Sequence, residues 1–353
     1  MKHISVMIKP ASSMCDSRCG YCFYSDVSKN REIPFLGLMS KETAESIILN
    51  IYKSLLAGDS ITFGFQGGEP CLRGLDFFEF FVDTAKSNLP YGVNINYVIQ
   101  TNGLAIDEKW CNFFKKNRFL VGLSLDGDSA LHNNNRKDAY GKGTYNRVMN
   151  TKKLFDTYKI RYNILCVLTS EIARRGKKIW DFILKENIRY IQFIPCLEPL
   201  NDTAGDIHLT PERFYRFYSD LFPLWQKKTS VRVRLFDDLL IIASKNKGAA
   251  CGMTGRCSPQ FIIESDGSVY PCDFYVLDKY KACNLTEVTL KEAFDSLING
   301  SFFESNIIPG RCNTCIYKSW CNGGCKRMKN AVYGDICGMS LFLNEYGGYF
   351  FNI

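Results

Sequence analysis

Three cysteines fall within eight residues, Cys15-Asp-Ser-Arg-Cys19-Gly-Tyr-Cys22, directly after the first apolar segment of the chain. Iron-sulfur clusters are usually held by four thiolates. Three thiols packed this tightly, with no fourth nearby, leave one iron of a four-iron cluster open to a small molecule. An open iron is a catalytic feature. Zinc sites favour C-x2-C pairs in twos, so the triplet argues against zinc, and equally against unligated core cysteines.

A second group lies downstream: Cys251, Cys257, Cys272, Cys312, Cys315, Cys321, Cys325 and Cys337. Eight thiols make two complete sets of four. That count suits two closed clusters, and two structural zinc sites would satisfy it as well. Clusters are favoured, because an enzyme built around one iron-sulfur site can use further ones to carry electrons. The remaining five, Cys71, Cys111, Cys166, Cys196 and Cys283, lie singly on strand or helix patterns and read as small buried hydrophobes.

The elements that must position these thiols follow from periodicity. From residue 4 to residue 195, short β-rich runs alternate with longer amphipathic stretches, the pattern of parallel strands joined by helices. Strands are predicted at Ile4 to Lys9, Ile61 to Gln66, Asn94 to Gln100, Phe119 to Ser124, Arg161 to Leu168 and Arg189 to Pro195. Helices are predicted after Ser40-x-x-Thr43 and over Leu75 to Lys86, Asp107 to Lys116, Thr144 to Tyr158 and Glu171 to Glu186. Six consecutive units give an α/β fold, a partial (β/α)6 barrel open where the eight-unit barrel closes. Chemistry in such folds gathers at the carboxyl ends of the strands. Cys15 to Cys22, Gln66-Gly-Gly-Glu-Pro70, Gln100-Thr-Asn-Gly103 and Ser124-Leu-Asp-Gly127 all fall there.

After residue 200 the pattern turns helical, over Thr210 to Gln226 and Asp237 to Ser244, and then cysteine-rich. This divides the chain into 1–245, a barrel with its following helical segment, and 246–353, a small cysteine-rich domain. Phe261 to Tyr270 alternates apolar residues around an Asp-Gly turn, a hairpin signal. The rest of that domain reads as short loops held by metal. The residues after Cys337 are too few and too rich in glycine and aromatics for the terminal helix otherwise expected.

Composition removes several classes of function. The net charge of +8 is scattered among acidic residues rather than gathered in a stripe, which sets nucleic-acid binding aside. The N-terminus lacks a signal-peptide h-region, and no apolar run reaches the roughly 18 residues of a membrane span. The sixteen cysteines are therefore read as reduced and partly metal-bound, in a soluble cytoplasmic protein with no membrane partner.

The C-x3-C-x2-C spacing with Tyr21 before the third cysteine resembles the signature of radical S-adenosylmethionine (SAM) enzymes. Four further runs narrow the resemblance: Lys9-Pro-Ala-Ser-Ser-x-Cys15, Phe65-Gln-Gly-Gly-Glu-Pro70, Asn133-x-x-Arg136-Lys-Asp138, and Ser265-Asp-Gly-Ser-Val-Tyr-Pro-Cys272-Asp-Phe-Tyr-Val-Leu-Asp278. From Ile8 to Cys337 the chain is similar to the anaerobic sulfatase-maturating enzymes, which carry a C-terminal extension of the SPASM type. The resemblance implies oxidation of a cysteine or serine in a sulfatase polypeptide, within a Cys/Ser-x-Pro-x-Arg motif, to Cα-formylglycine. It implies S-adenosylmethionine and three 4Fe-4S clusters as cofactors, and an electron donor such as a flavodoxin or ferredoxin.

Residue by residue, the resemblance assigns the open cluster to Cys15, Cys19 and Cys22. One auxiliary cluster falls to Cys251, Cys257, Cys272 and Cys325, and the other to Cys312, Cys315, Cys321 and Cys337. It gives Gly68 the methionine amino group, Ser124 and Arg136 the ribose and carboxylate side, and Tyr21 and Leu197 the adenine. Asp273 becomes the proton acceptor, a base that must lie within hydrogen-bond reach of its proton. Two other readings share parts of this pattern. A SPASM-type maturase forming thioether or carbon-carbon crosslinks in a ribosomal peptide would use the same cofactors, and a non-catalytic electron carrier would need neither the open triad nor the Gly-Gly-Glu-Pro turn.

Overall fold

The computed structural model describes residues 2–201, 205–228, 230–245, 250–303 and 308–351. The first part of the chain runs β1 (His3–Ile8), α1 (Phe23–Lys29), α2 (Lys41–Tyr52), β2 (Ser60–Phe65), α3 (Leu75–Ser87), β3 (Asn94–Thr101), α4 (Glu108–Lys116), β4 (Leu120–Ser124), α5 (Ser129–Asn135), α6 (Tyr145–Tyr158), β5 (Arg161–Leu168), α7 (Ser170–Ala173), α8 (Gly176–Lys185) and β6 (Tyr190–Pro195). Then come α9 (Pro211–Gln226), β7 (Arg232–Val233), α10 (Arg234–Lys245), β8 (Phe261–Ile263), β9 (Ser268–Tyr270), β10 (Cys283–Asn284), α11 (Leu290–Ile298), α12 (Lys318–Cys321) and α13 (Gly338–Phe351). Side-chain caps set several helix starts: Ser40 accepts from the Thr43 N–H at 3.0 Å and Asp107 from that of Trp110 at 3.0 Å.

Strands β1 to β6 lie side by side and all parallel, with Ile8 opposite Phe65 and Phe65 opposite Ile99. A two-residue strand, β7, extends that edge. On the other edge β8 pairs parallel with β1, bringing Ile263 opposite Ile8, and β9 and β10 follow as antiparallel neighbours. The result is one unclosed ten-stranded sheet in the order β10-β9-β8-β1-β2-β3-β4-β5-β6-β7. The predicted partial barrel is present, and the cysteine-rich part of the chain adds its hairpin to the same sheet.

Aromatic rings fill the layer between β2 to β4 and the helices outside them. The Phe65 ring lies 5.0 Å from those of Phe78 and Phe81, and Tyr97 stacks on Phe119 at 5.1 Å. Among the described residues no helix is long and apolar enough to cross a membrane.

Three expectations change. The helix predicted over Glu171 to Glu186 is two, α7 and α8, because Arg175 leaves the helical region at φ −128° and ψ 34°; Gly176 then opens α8 close against α9, where a β-carbon would lie 2.8 Å from Asp220 Cβ. The cysteine-rich part is not loops alone, since α11 carries a capping box between Thr289 and Glu292. The tail does form a terminal helix, α13, although Asn352 and Ile353 lie outside the described residues. Its rings supply what its glycines lack in helix propensity, with Tyr346, Tyr349 and Phe350 at 4.8, 5.3 and 5.5 Å from the Phe222 ring of α9.

Two buried carboxylates hold the sheet and its loops together. Glu264, just past β8, has no solvent exposure, receives Arg31 Nη1 at 2.8 Å, and accepts the Tyr24 hydroxyl. Glu69, after β2, accepts from the Cys71 N–H at 3.1 Å, the Thr101 hydroxyl at 2.8 Å and the Asn102 N–H at 2.7 Å, which ties β2 to the end of β3. Replacing Arg31 by Met leaves the buried Glu264 carboxyl without its counter-ion, and we expect a loss of about 3–5 kcal/mol in anaerobic chemical unfolding.

Burial raises the Glu69 carboxyl from the usual 4.5 to about 7, outweighing its hydrogen bonds. Its protonated form therefore contributes stability that is complete below pH 4.5 and lost as pH rises through about 7. Unfolding free energy should fall over that window by an amount on the order of 3 kcal/mol, and Glu69→Gln should remove the slope. A slope that persists in Glu69→Gln would assign it to another group.

Candidate active site

The segment 9–22 folds as a loop over the carboxyl end of the sheet, pinned from below. Asn102 Nδ2 donates to Asp16 Oδ1 at 2.7 Å and Ser17 Oγ at 3.1 Å, and stands 3.8 Å from Cys15 Sγ. The Ser17 N–H points at Cys15 Sγ and the Ser25 N–H at Cys22 Sγ, both at 3.4 Å. Arg136 Nη1 lies 3.9 Å from Cys19 Sγ. Burial pushes the Cys15 thiol up to about 12 and the Cys19 thiol to about 11, with Arg136 opposing it at Cys19. Thiolates at these positions need added positive charge, which bound iron supplies. Three thiols on one loop are the donor chemistry of a four-iron cluster with one open iron.

Gly68 completes the loop's floor. It has φ +54°, and a β-carbon there would lie 2.1 Å from the Met14 carbonyl oxygen and 2.8 Å from that of Ser12. Only glycine allows the turn to approach so closely.

Opposite the cysteines, Asp126 organises a second group. It has no solvent exposure; Oδ2 accepts from Arg136 Nε at 2.8 Å and from the Tyr21 hydroxyl, and Oδ1 accepts from the Val167 N–H at 2.9 Å. The Arg136 guanidinium stands over the Tyr21 ring, 5.5 Å from its centroid. Behind it, burial and Arg136 lower His132 to about 4, so the imidazole is neutral. Its Nδ1 takes the Asp126 N–H at 3.3 Å, which leaves Nε2 to donate to Thr144 Oγ1 at 3.0 Å. Ser124 and Leu197 are both buried, at the ends of β4 and just beyond β6.

Asp273 sits in a single 3-10 turn after Cys272 and is 8% exposed. The β1–β8 pairing brings it over the sheet, where Lys9 Nζ lies 2.5 Å from Oδ1 and Gln66 Nε2 donates to Oδ2 at 3.0 Å. Tyr24 closes this side, its ring 4.1 Å from Lys9 Nζ.

The eight downstream cysteines separate into two groups. The Cys272 thiol, raised first by burial, feels the charge of Cys325 and Cys257, and Cys251 feels the same two. Cys321, pushed up to about 11 by burial, feels Cys337, Cys312 and Cys315. The latter four line one cavity of about 380 Å³. Of the five single cysteines, Cys71, Cys111, Cys166 and Cys196 are buried, while Cys283 is half-buried in β10.

Sequence reasoning singled out the motifs but passed over four side chains the geometry makes central: Lys9, Gln66, Asn102 and Asp126. Each stood inside or beside a quoted strand-end motif. A polar residue at a strand's carboxyl end was the available signal, and their partners lie up to 264 residues away.

Comparison with known proteins agrees with this architecture. Residues 10–173 match the family described as the radical SAM superfamily, and residues 251–316 match an iron-sulfur cluster-binding domain, SPASM. The cysteine-type anaerobic sulfatase-maturating enzyme of Clostridium novyi (strain NT) is 42% identical over 357 aligned residues, covering 99% of this chain and 95% of that protein. The enzyme of that name from Clostridium perfringens (strain 13 / Type A) is 40% identical, with 99% and 96% covered. The solved structure of native anSMEcpe with bound AdoMet superposes with a TM-score of 0.91 at 38% identity, covering 99% of this chain and 98% of that one. A second structure of native anSMEcpe, with bound AdoMet and the Cp18Cys peptide, gives 0.89 at 37% identity and the same coverage. The two cysteine-bearing family matches and the whole-chain identity converge, and the chain belongs to the anaerobic sulfatase-maturating enzymes.

Proposed function

We propose that this protein oxidises a cysteine of a sulfatase polypeptide, in a Cys-x-Pro-x-Arg motif, to Cα-formylglycine. The observation that carries the reading is identity of 40–42% across the whole chain to cysteine-type enzymes of this family. The peptide bound in the anSMEcpe structure supports a polypeptide substrate. Residues 1–245 form the radical SAM part and 246–353 the cluster domain, in line with the matches at 10–173 and 251–316.

Cys15, Cys19 and Cys22 hold the open cluster in this reading. Cys251, Cys257, Cys272 and Cys325 hold one auxiliary cluster, and Cys312, Cys315, Cys321 and Cys337 the other. When bound, the clusters and S-adenosylmethionine supply hydrogen-atom abstraction and electron transfer. The rest falls to the chain's own side chains. Gly68 offers its backbone to the methionine amino group. Arg136 and Ser124 take the carboxylate and ribose, with Arg136 oriented by Asp126, and Tyr21 and Leu197 bound the adenine.

Asp273 takes the substrate's thiol proton. Its two oxygens each hold one donor, from Lys9 and Gln66. A carboxylate oxygen has two lone pairs, so a position remains for the substrate. A small electron-transfer protein of the flavodoxin or ferredoxin type serves as the reductant.

The test is an anaerobic assay of reconstituted protein with S-adenosylmethionine and a peptide bearing Cys-x-Pro-x-Arg, read by mass spectrometry. Asp273→Asn should still release 5'-deoxyadenosine while formylglycine falls at least about 100-fold. An unchanged formylglycine yield would remove the base assignment. Cys15→Ala should form no 5'-deoxyadenosine, and its persistence would contradict the open-cluster assignment.

A further inference from the structure

Lys9 stands directly after β1 with no solvent exposure, a large side chain wholly inside the protein. Burying an ammonium is costly unless it is paired and hydrogen-bonded. Its partner here is a carboxylate from the far end of the chain, Asp273 Oδ1 at 2.5 Å, and the face of the Tyr24 ring lies 4.1 Å away. The Lys9 N–H also donates to the Ile263 carbonyl at 2.8 Å. One residue thus joins the barrel to the hairpin through its backbone, and to the carboxylate beyond that hairpin through its side chain.

The path of the lysine stem is cut by Gly67. A β-carbon at that position, where φ is +100°, would lie 2.7 Å from Lys9 Cγ, 2.8 Å from Cδ and 3.0 Å from Nζ. The two glycines of the Gly-Gly-Glu-Pro run therefore do different work: Gly68 clears the floor under the cysteine loop, and Gly67 clears the channel for Lys9. Gln66, one residue earlier, holds the other oxygen of Asp273 at 3.0 Å.

We propose that Lys9 is the positioning residue of this site: with Gln66 it clamps the Asp273 carboxylate in one plane, through a channel opened by Gly67, so that the carboxylate faces the substrate thiol. The inference rests on Asp273 being the proton acceptor. A carboxylate on a short turn has two side-chain torsions to lose, and donors from two adjacent strands remove both. Without the ammonium, the carboxylate keeps one donor and swings away from the thiol, while the cofactor-binding side chains stay in place.

The experiment compares Lys9→Met, which keeps the stem's length and removes the charge, with Lys9→Gln, which keeps a donor. Both are reconstituted anaerobically and assayed with S-adenosylmethionine and the Cys-x-Pro-x-Arg peptide. Formylglycine formed per 5'-deoxyadenosine should fall at least about tenfold in Lys9→Met and recover part of that loss in Lys9→Gln. Affinity for an unreactive Ala-x-Pro-x-Arg peptide, measured by calorimetry, should remain that of the wild type. A wild-type product ratio in Lys9→Met, or a parallel fall of both products, would overturn the proposal. Should Lys9→Met fail to fold, the ratio in Lys9→Gln decides: below wild type supports the clamp, equal to wild type overturns it. Asp273→Asn in the same assay separates the two readings. Formylglycine retained there removes the base, whereas formylglycine lost there but formed at the wild-type ratio in Lys9→Met removes only the clamp.

Discussion

The parallel pairing of β8 with β1 is the constraint on which the site depends. Only three residue pairs make it, Val6 with Phe261, Met7 with Ile262 and Ile8 with Ile263. They fix the register of everything that follows in the cysteine-rich part of the chain. One strand slip would turn Ile262 and Ile263 to opposite faces and carry Asp273 away from Lys9. The pairing also explains why the sheet stays open: the edge beside β1 that would close a barrel is taken by the hairpin.

Around the site, three buried ion pairs stand out among the described residues. Asp126 meets Arg136, Glu264 meets Arg31 and Asp273 meets Lys9, and all six side chains are at most 11% exposed. Replacing such a pair by apolar groups is often neutral or stabilising, whereas orphaning one member is expensive. Their value lies in direction. Two of the pairs join the connection after β1 to the hairpin and the turn beyond it, and Asp126 with Arg136 braces the connection after β4, all by short, charge-assisted contacts. Arg31 Nε and Glu264 Oε2 are buried without a hydrogen-bond partner, so each member of this pair keeps one polar atom unsatisfied.

Glycine supplies the complementary device. Gly67 and Gly68 adopt positive φ for separate steric reasons, one facing a side chain and the other backbone carbonyls. Gly176 and Gly338 have ordinary φ and serve packing against α9, where β-carbons would lie 2.8 Å from Asp220 Cβ and 2.3 Å from the Pro211 carbonyl oxygen. A sequence reader sees four glycines; the neighbour each one faces separates a tight strand-end turn from a helix contact.

The sequence by itself determined the six parallel strands of the barrel and the long helices between them, because periodicity is a local property of the chain; the seven-residue α1 and α5 are too short to show it. Arg161–Leu168 begins and ends where alternation places it. It pointed to iron-sulfur chemistry at the first cysteine triad too, since three thiols in eight residues have few other uses. Local pattern failed where distant packing overrode it. The glycine-rich tail became α13 because the rings of α9 cover it, and the helix predicted over Glu171 to Glu186 is interrupted at Arg175, which is not helical, before Gly176 packs against α9. The meeting of Lys9, Gln66 and Asp273 was decided by tertiary structure alone. Their contacts span 207 and 264 residues, and no local preference records which distant carboxylate a buried lysine will find.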